Sequence, residues 1–162
     1  MAAVSPHVIS TVRRFRVKIM RFSIPTELIP KLRELQEQTR QYYIDKIAES
    51  EDAVVMTGGM GAAMYLTFDG RVIVHDDDLE EETFPREAKD AKEMFTAIII
   101  SAKRRNAPEL LSLLPSRPNT AVDCVACESH GWQRFGLDVH GKPVEIICWD
   151  CGGVGWIDKD YY

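Results

Sequence analysis

The sequence predicts an α+β fold in which a small antiparallel sheet is packed by two main helices and followed by a four-cysteine hairpin. Three observations carry that expectation. Two β-branched runs flank Asp69-Gly70, two stretches repeat apolar residues every three or four positions, and two Cys-x-x-Cys pairs stand twenty residues apart near the C-terminus.

A chain of 162 residues suits one ordinary domain with a small appendage, here an α+β domain over 1–115 and a four-cysteine module over 116–162. Hydrophobic residues make up 45% and charged residues 28%, the balance of a chain that buries a core. The longest apolar run, residues 95–102, falls far short of the roughly 20 residues that cross a bilayer, so no membrane role is expected. A formal charge of -5 argues against nucleic-acid coating, which needs concentrated Lys and Arg to neutralise phosphates. No secretory signal is recognisable, which places the thiols in a reducing, cytoplasmic setting.

The first patterned stretch is TVRRFRVKIMRF, residues 11–22. Phe15, Val17 and Ile19 alternate with Arg14, Arg16 and Lys18, the period of a half-exposed strand. An Arg-rich targeting peptide is the competing reading, but such peptides favour helical amphipathicity over alternation. A helix is expected over 30–49, where Leu28, Leu32, Leu35, Thr39, Tyr42 or Tyr43, and Ile47 share one face; Pro25 and Pro30 mark its start.

Residues 53–57 then form an apolar, β-branched run that Gly58, Gly59 and Gly61 interrupt. Runs 64–68 and 71–75 flank Asp69-Gly70, a hairpin signal in which both turn positions are expected at positive φ. GGMG lacks the Lys-Ser/Thr and the following helix of a phosphate loop, so a tight turn accounts for it better. A second helix is expected over 85–105, with Pro85 in its first turn and Glu87 and Asp90 near its positive end. Lys103, Arg104 and Arg105 lie near its negative end, and Ala88, Ala91, Phe95, Ile98, Ile99 and Ala102 form its core stripe. A short helix over 108–114 precedes the proline-containing PSRPNTA connection.

The acidic run at 76–82 contains Asp76, Asp77, Asp78, Glu80, Glu81 and Glu82. It lacks the spacing and glycine of a calcium loop, so a solvated loop is the plain reading. If the run has a function, its sign favours a basic protein partner over nucleic acid.

Cys124 with Cys127 and Cys148 with Cys151 carry the sharpest chemistry. A Cys-x-x-Cys turn aims two sulfurs at one point, and two such turns joined by a hairpin complete a tetrahedron around zinc. Strand-like 132–139 and 143–147, with a turn at His140-Gly141-Lys142, supply that hairpin. Iron in a rubredoxin-like site also suits tetrahedral sulfur, whereas disulfides and redox-active thiols fit a reducing compartment poorly. His130 and His140 are the only nearby nitrogen donors, and four cysteines leave them little to do. His7 and His75 join no catalytic constellation.

CWDCGGVG at 148–155 resembles the Cys-x-x-Cys-x-Gly-x-Gly repeat of the DnaJ cysteine-rich zinc domain in full, and CVACESHG at 124–131 resembles it except for Ser129 at the first glycine position. The resemblance implies that Cys124, Cys127, Cys148 and Cys151 hold one zinc between two repeats. It covers about residues 122–157, and with two repeats and no J-domain His-Pro-Asp motif it implies no co-chaperone activity. The upstream order of helix, AVVMTGGMGAAMYLTFDGRVIVHDD and helix resembles the SUKH superfamily, which implies an immunity-like role.

The function expected is therefore a non-enzymatic protein-interaction module, immunity-like or regulatory, with a structural tetra-cysteine zinc site. No nucleophile-base pair, open metal site or cofactor loop points to an enzyme. Trp132, Trp149 and Trp156 form either an exposed aromatic surface or packing around the metal. A nucleic-acid-binding zinc protein is the alternative, opposed by a net charge of -3 between Arg117 and Tyr162; an iron electron carrier is a further one.

Overall fold

The computed structural model describes residues 21–40, 53–59, 62–76 and 86–161. Most of the expected first strand (11–20), the helix beyond residue 40 with Tyr42, Tyr43 and Ile47, Met60 and Gly61 of GGMG, the acidic run from Asp77 onward, and His7 lie outside the described residues.

Among the described residues the architecture is mixed α and β. A 3-10 turn at Thr26–Leu28 leads into α1, Ile29–Arg40. Strands β1 (Ala53–Gly59), β2 (Ala62–Thr67), β3 (Val72–Asp76) and β4 (Arg86–Glu87) follow as an antiparallel meander in sequence order. Helix α2 is Ala91–Arg104, and a 3-10 segment spans Pro108–Leu113. The cysteine region contains β5 (Val122–Asp123), a 3-10 turn at Val125–Cys127, β6 (Trp132–Leu137), β7 (Pro143–Ile147) and β8 (Trp156–Ile157). In it β5 pairs with β8 and β6 with β7, both antiparallel.

Two expectations need correction. The second helix starts at Ala91 and not near residue 85, because Arg86 and Glu87 join the sheet opposite Val74 and Ile73. Asp90 is the N-cap: its Oδ1 accepts from the Glu93 N–H at 2.9 Å. Glu93 reaches back to accept from the Lys89 N–H at 2.8 Å and takes both guanidinium nitrogens of Arg86 at 3.0 and 2.9 Å. Burial alone would raise the Glu93 pKa, but these donors hold it below its ordinary 4.5.

The Asp69-Gly70 turn is the second correction. Only Gly70 has positive φ, at 86°. The Gly70 N–H donates to Thr67 O at 2.9 Å and the Thr67 N–H to Arg71 O at 2.9 Å, which closes a three-residue loop with its left-handed residue last. Glycine is required there twice over, since a Cβ would overlap the Phe22 carbonyl that packs against it. The strands also run through Gly58 and Gly59, which pair with Ala63 and Ala62.

Leu28 of the 3-10 turn, Leu32 and Leu35 of α1, and Met94, Phe95, Ala97, Ile98 and Ala102 of α2 meet Leu66 and Val72 of the sheet. Met94 and Ala97 add to the expected stripe of α2. Each large side chain so buried contributes about 1.5 to 3 kcal/mol, so this layer is the main source of cohesion. Trp156 from β8 belongs to the same core, where its ring lies 6.0 Å from Phe95 and 5.7 Å from Tyr161. The cysteine region is thus tied to α2 through aromatic packing.

Candidate metal centre

The site is assembled from two turns whose positions correspond at an offset of 24 residues: Cys124 with Cys148, Cys127 with Cys151. By the same offset Gly131 matches Gly155 and Trp132 matches Trp156. Each turn's first cysteine donates its N–H to the other turn's glycine, Cys124 to Gly155 O at 3.0 Å and Cys148 to Gly131 O at 2.9 Å. The residue before that cysteine pairs with the other turn's tryptophan, Asp123 with Trp156 and Ile147 with Trp132. The two turns are therefore related by a local pseudo-twofold relation.

Glycine at 131 and 155 follows from that interlock. A Cβ on Gly131 would overlap the Gly153 carbonyl, and one on Gly155 would overlap the Ser129 carbonyl, the equivalent atom. Both glycines also have positive φ, at 77° and 80°. Their N–H groups then point at sulfur: Gly131 donates to Cys127 Sγ at 3.2 Å and Gly155 to Cys151 Sγ at 3.3 Å.

All four cysteines are buried, and their sulfurs lie within 4.8 Å of one another. The pairs across the pseudo-axis are 3.7 Å (Cys124 to Cys148) and 3.8 Å (Cys127 to Cys151) apart. Metal–sulfur bonds of about 2.3 Å in a tetrahedron give sulfur–sulfur edges of about 3.8 Å, whereas a disulfide needs about 2.05 Å. The four cysteines are free thiols placed to bind a metal ion.

Burial acts against ionisation of these thiols. Burial pushes the Cys151 thiol up to about 12 and also raises Cys124. Burial opposes ionisation of Cys148 as well, but the backbone N–H groups of Cys151 and Asp150 outweigh it and bring that thiol below its ordinary value. Four thiolates this close repel one another, so full ionisation calls for a cation at their centre.

His130 and His140 do not enter the cluster, which among the described residues consists of the four cysteines alone. His130 turns Nδ1 toward the Cys127 carbonyl at 3.1 Å, and His140 sits in the β6–β7 turn, its N–H donating to Asp138. The three tryptophans do not form one surface. Trp156 is 6% exposed in the main core and Trp149 is 76% exposed between Cys148 and Cys151. Trp132 is half-buried under the Lys103 ammonium, 4.3 Å from its ring centre.

Several supporting residues escaped the sequence reading. Val154 packs against both the cysteine cluster and the main core, and Ile157 against the cluster. Asp158 is buried, accepting from Thr120 Oγ1 at 2.5 Å and from the Asp160 N–H at 2.9 Å, which lowers its pKa. The 24-residue offset was the signal that could have paired Asp123 with Trp156 in advance. Nothing comparable marked Asp158. Comparison with known proteins adds no family: no protein-family model, curated protein or solved structure matches the chain.

Proposed function

We propose that this chain is a non-enzymatic, zinc-binding protein-interaction module, immunity-like or regulatory, in which Cys124, Cys127, Cys148 and Cys151 hold a structural zinc ion. The observation that carries the reading is the set of four buried sulfurs with cross-pairs at 3.7 and 3.8 Å, the edge length of a zinc–thiolate tetrahedron. Four sulfur ligands fill the coordination sphere and leave no position for an activated water, so the metal's contribution is to folding. Interlocked Cys-x-x-Cys turns support the DnaJ-like zinc-hairpin reading at this end of the chain. Upstream, the succession of α1, an antiparallel meander and α2 supports a SUKH-like layout.

An interaction role draws support from the surface of the same region. Residues 134–143 of the β6–β7 hairpin are exposed and include Phe135, Leu137 and Val139, and Trp149 adds a further exposed ring. Exposed large apolar side chains gathered on one small module favour contact with another protein. A basic partner approaching Asp76, Asp77, Asp78, Glu80, Glu81 and Glu82 in a cytoplasmic setting completes the proposal.

Elemental analysis of untagged protein tests it: one equivalent of zinc is expected, and a coloured protein containing iron would replace zinc with an electron carrier. Partner capture with Asp76→Lys, Asp77→Lys and Asp78→Lys combined tests the acidic run. Equal recovery of a protein partner by the variant and the parent chain would remove that run from the proposal.

A further inference from the structure

The two turns of the metal centre share a pattern of hydrogen bonds but not a backbone chemistry. In the second turn the two residues after Cys151 are Gly152 and Gly153, with φ of 64° and 95°. The equivalent residues of the first turn are Glu128 and Ser129, held at 51° and 65° in the same left-handed region. Glycine occupies that region freely, whereas an L side chain is strained there by roughly 1 to 2 kcal/mol per residue. The first turn therefore carries strain at two consecutive positions that the second does not.

Their surroundings differ in the same direction. Gly152 lies against α2, where a Cβ would come within 2.7 Å of the Lys92 carbonyl oxygen, and Thr96 Oγ1 donates to the Gly152 carbonyl at 3.5 Å. Gly153 lies under Ile99, with its Cβ position 2.8 Å from Ile99 Cδ1. Val154 and Trp156 then continue into the main core. Among the described residues no helix covers the first turn: Val125 is 87% exposed, Ala126, Glu128, Ser129 and His130 are exposed as well, and only the following Trp132 meets α2, under Lys103. The first turn is held by lighter ties: Gln133 Nε2 donates to the Ala126 carbonyl at 2.9 Å, while the preceding Asp123 pairs with Arg117 at 2.7 Å.

We infer that the two halves of the centre are unequal, and that a bound metal enters and leaves through the Cys124–Cys127 turn while the Cys148–Cys151 turn stays fixed on α2. The inference rests on the metal-site reading above. Opening the first turn releases its backbone strain and breaks its sulfur contacts and the Cys124 N–H to Gly155 O bond, and it leaves the side-chain packing of Phe95, Trp156 and Tyr161 in place. Opening the second requires Gly152 and Gly153 to leave α2 and draws Trp156 from the core. Local opening takes the less costly course, so ligand exchange begins at Cys124 and Cys127.

Glu128→Gly is the cleanest probe, because it removes strain at one position and leaves the Gln133 to Ala126 tie in place. The full chain is loaded with Co2+, and loss of the thiolate-to-cobalt absorption is followed after addition of excess EDTA. Release from Glu128→Gly is expected to be slower by about fivefold, the equivalent of about 1 kcal/mol of relieved strain. Release that is unchanged or faster would overturn the inference. Amide exchange gives a second, mutation-free test on the parent chain. The Gly131 and Gly155 N–H groups donate to equivalent sulfurs at 3.2 and 3.3 Å, so faster exchange at Gly131 is expected and equal or slower exchange contradicts the inference. A chain that takes up no metal would instead overturn the site reading, and the exchange contrast would still decide the asymmetry.

Discussion

The two cysteine turns are near-copies in hydrogen bonding and opposites in attachment. One is glycine-rich, pressed onto α2 and continuous with a tryptophan of the main core. The other carries Glu128 and Ser129 in left-handed conformations and faces outward. A repeated motif thus fixes the placement of the sulfurs, while the residues that follow each pair decide which copy is anchored. The single departure from the glycine pattern that the sequence displays, Ser129, falls on the free copy.

The comparison is broken most completely through the ligands. Cys151→Ser and Cys127→Ser should each abolish metal uptake and lower stability by about 5 kcal/mol or more, since metal-binding free energy is folding free energy. The anchored copy should suffer further, with loss of the near-UV signal of Trp156; a Cys127→Ser signal equally changed would show that attachment to α2 is not independent of the metal.

Gly155→Ala and Gly131→Ala come next. Each adds a Cβ into the carbonyl of the other turn, at positive φ, and should cost about 3 kcal/mol or more in thermal unfolding. Similar losses from the two variants would support the reciprocal interlock, and a tolerant Gly131 would confine it to one side.

The tryptophans grade the attachment itself. Trp156→Ala should cost about 3 to 5 kcal/mol, as expected for emptying a core position. Trp132→Ala should cost about 1 kcal/mol through lost contact with Lys103, and Trp149→Ala less than about 0.5 kcal/mol. Any other order in denaturant unfolding would mean that the anchoring has been assigned to the wrong ring.

A modest effect, of the size expected for Trp132→Ala, concerns the helix on which the anchored turn rests. The Glu93 carboxyl is held below 4.5 in the fold, so its stabilisation is complete above about that pH and is lost as pH falls through the lower folded value. Glu93→Gln should lower stability by about 1 kcal/mol at neutral pH and flatten the acid limb of the melting-temperature profile. An unaltered acid limb would remove Glu93 from the start of α2.

The four-cysteine cluster was legible because Cys-x-x-Cys encodes its geometry within four residues, and the hairpin joining the pairs follows from a strand-turn-strand pattern between them. Helix faces were legible for the same local reason: Leu28, Leu32 and Leu35 recur at helical spacing and are buried together. Trp156 and Tyr161 were not, since a core position reached by a segment without regular period depends on where the preceding metal turn docks. The start of α2 was placed too early because Pro85 suits a first turn, whereas the pairing of Arg86 and Glu87 with β3 delays the helix until Asp90 caps it. Likewise the Asp69-Gly70 loop takes its form from Phe22, some fifty residues earlier in the chain, which no local pattern could supply.

X-ray absorption at the metal edge of the purified, metal-replete chain reads the closed four-sulfur centre directly. Four sulfur scatterers at about 2.3 Å, with no bound nitrogen or oxygen, are expected. A shell with fewer than four sulfurs, completed by nitrogen or oxygen, would contradict a single centre closed by both cysteine turns.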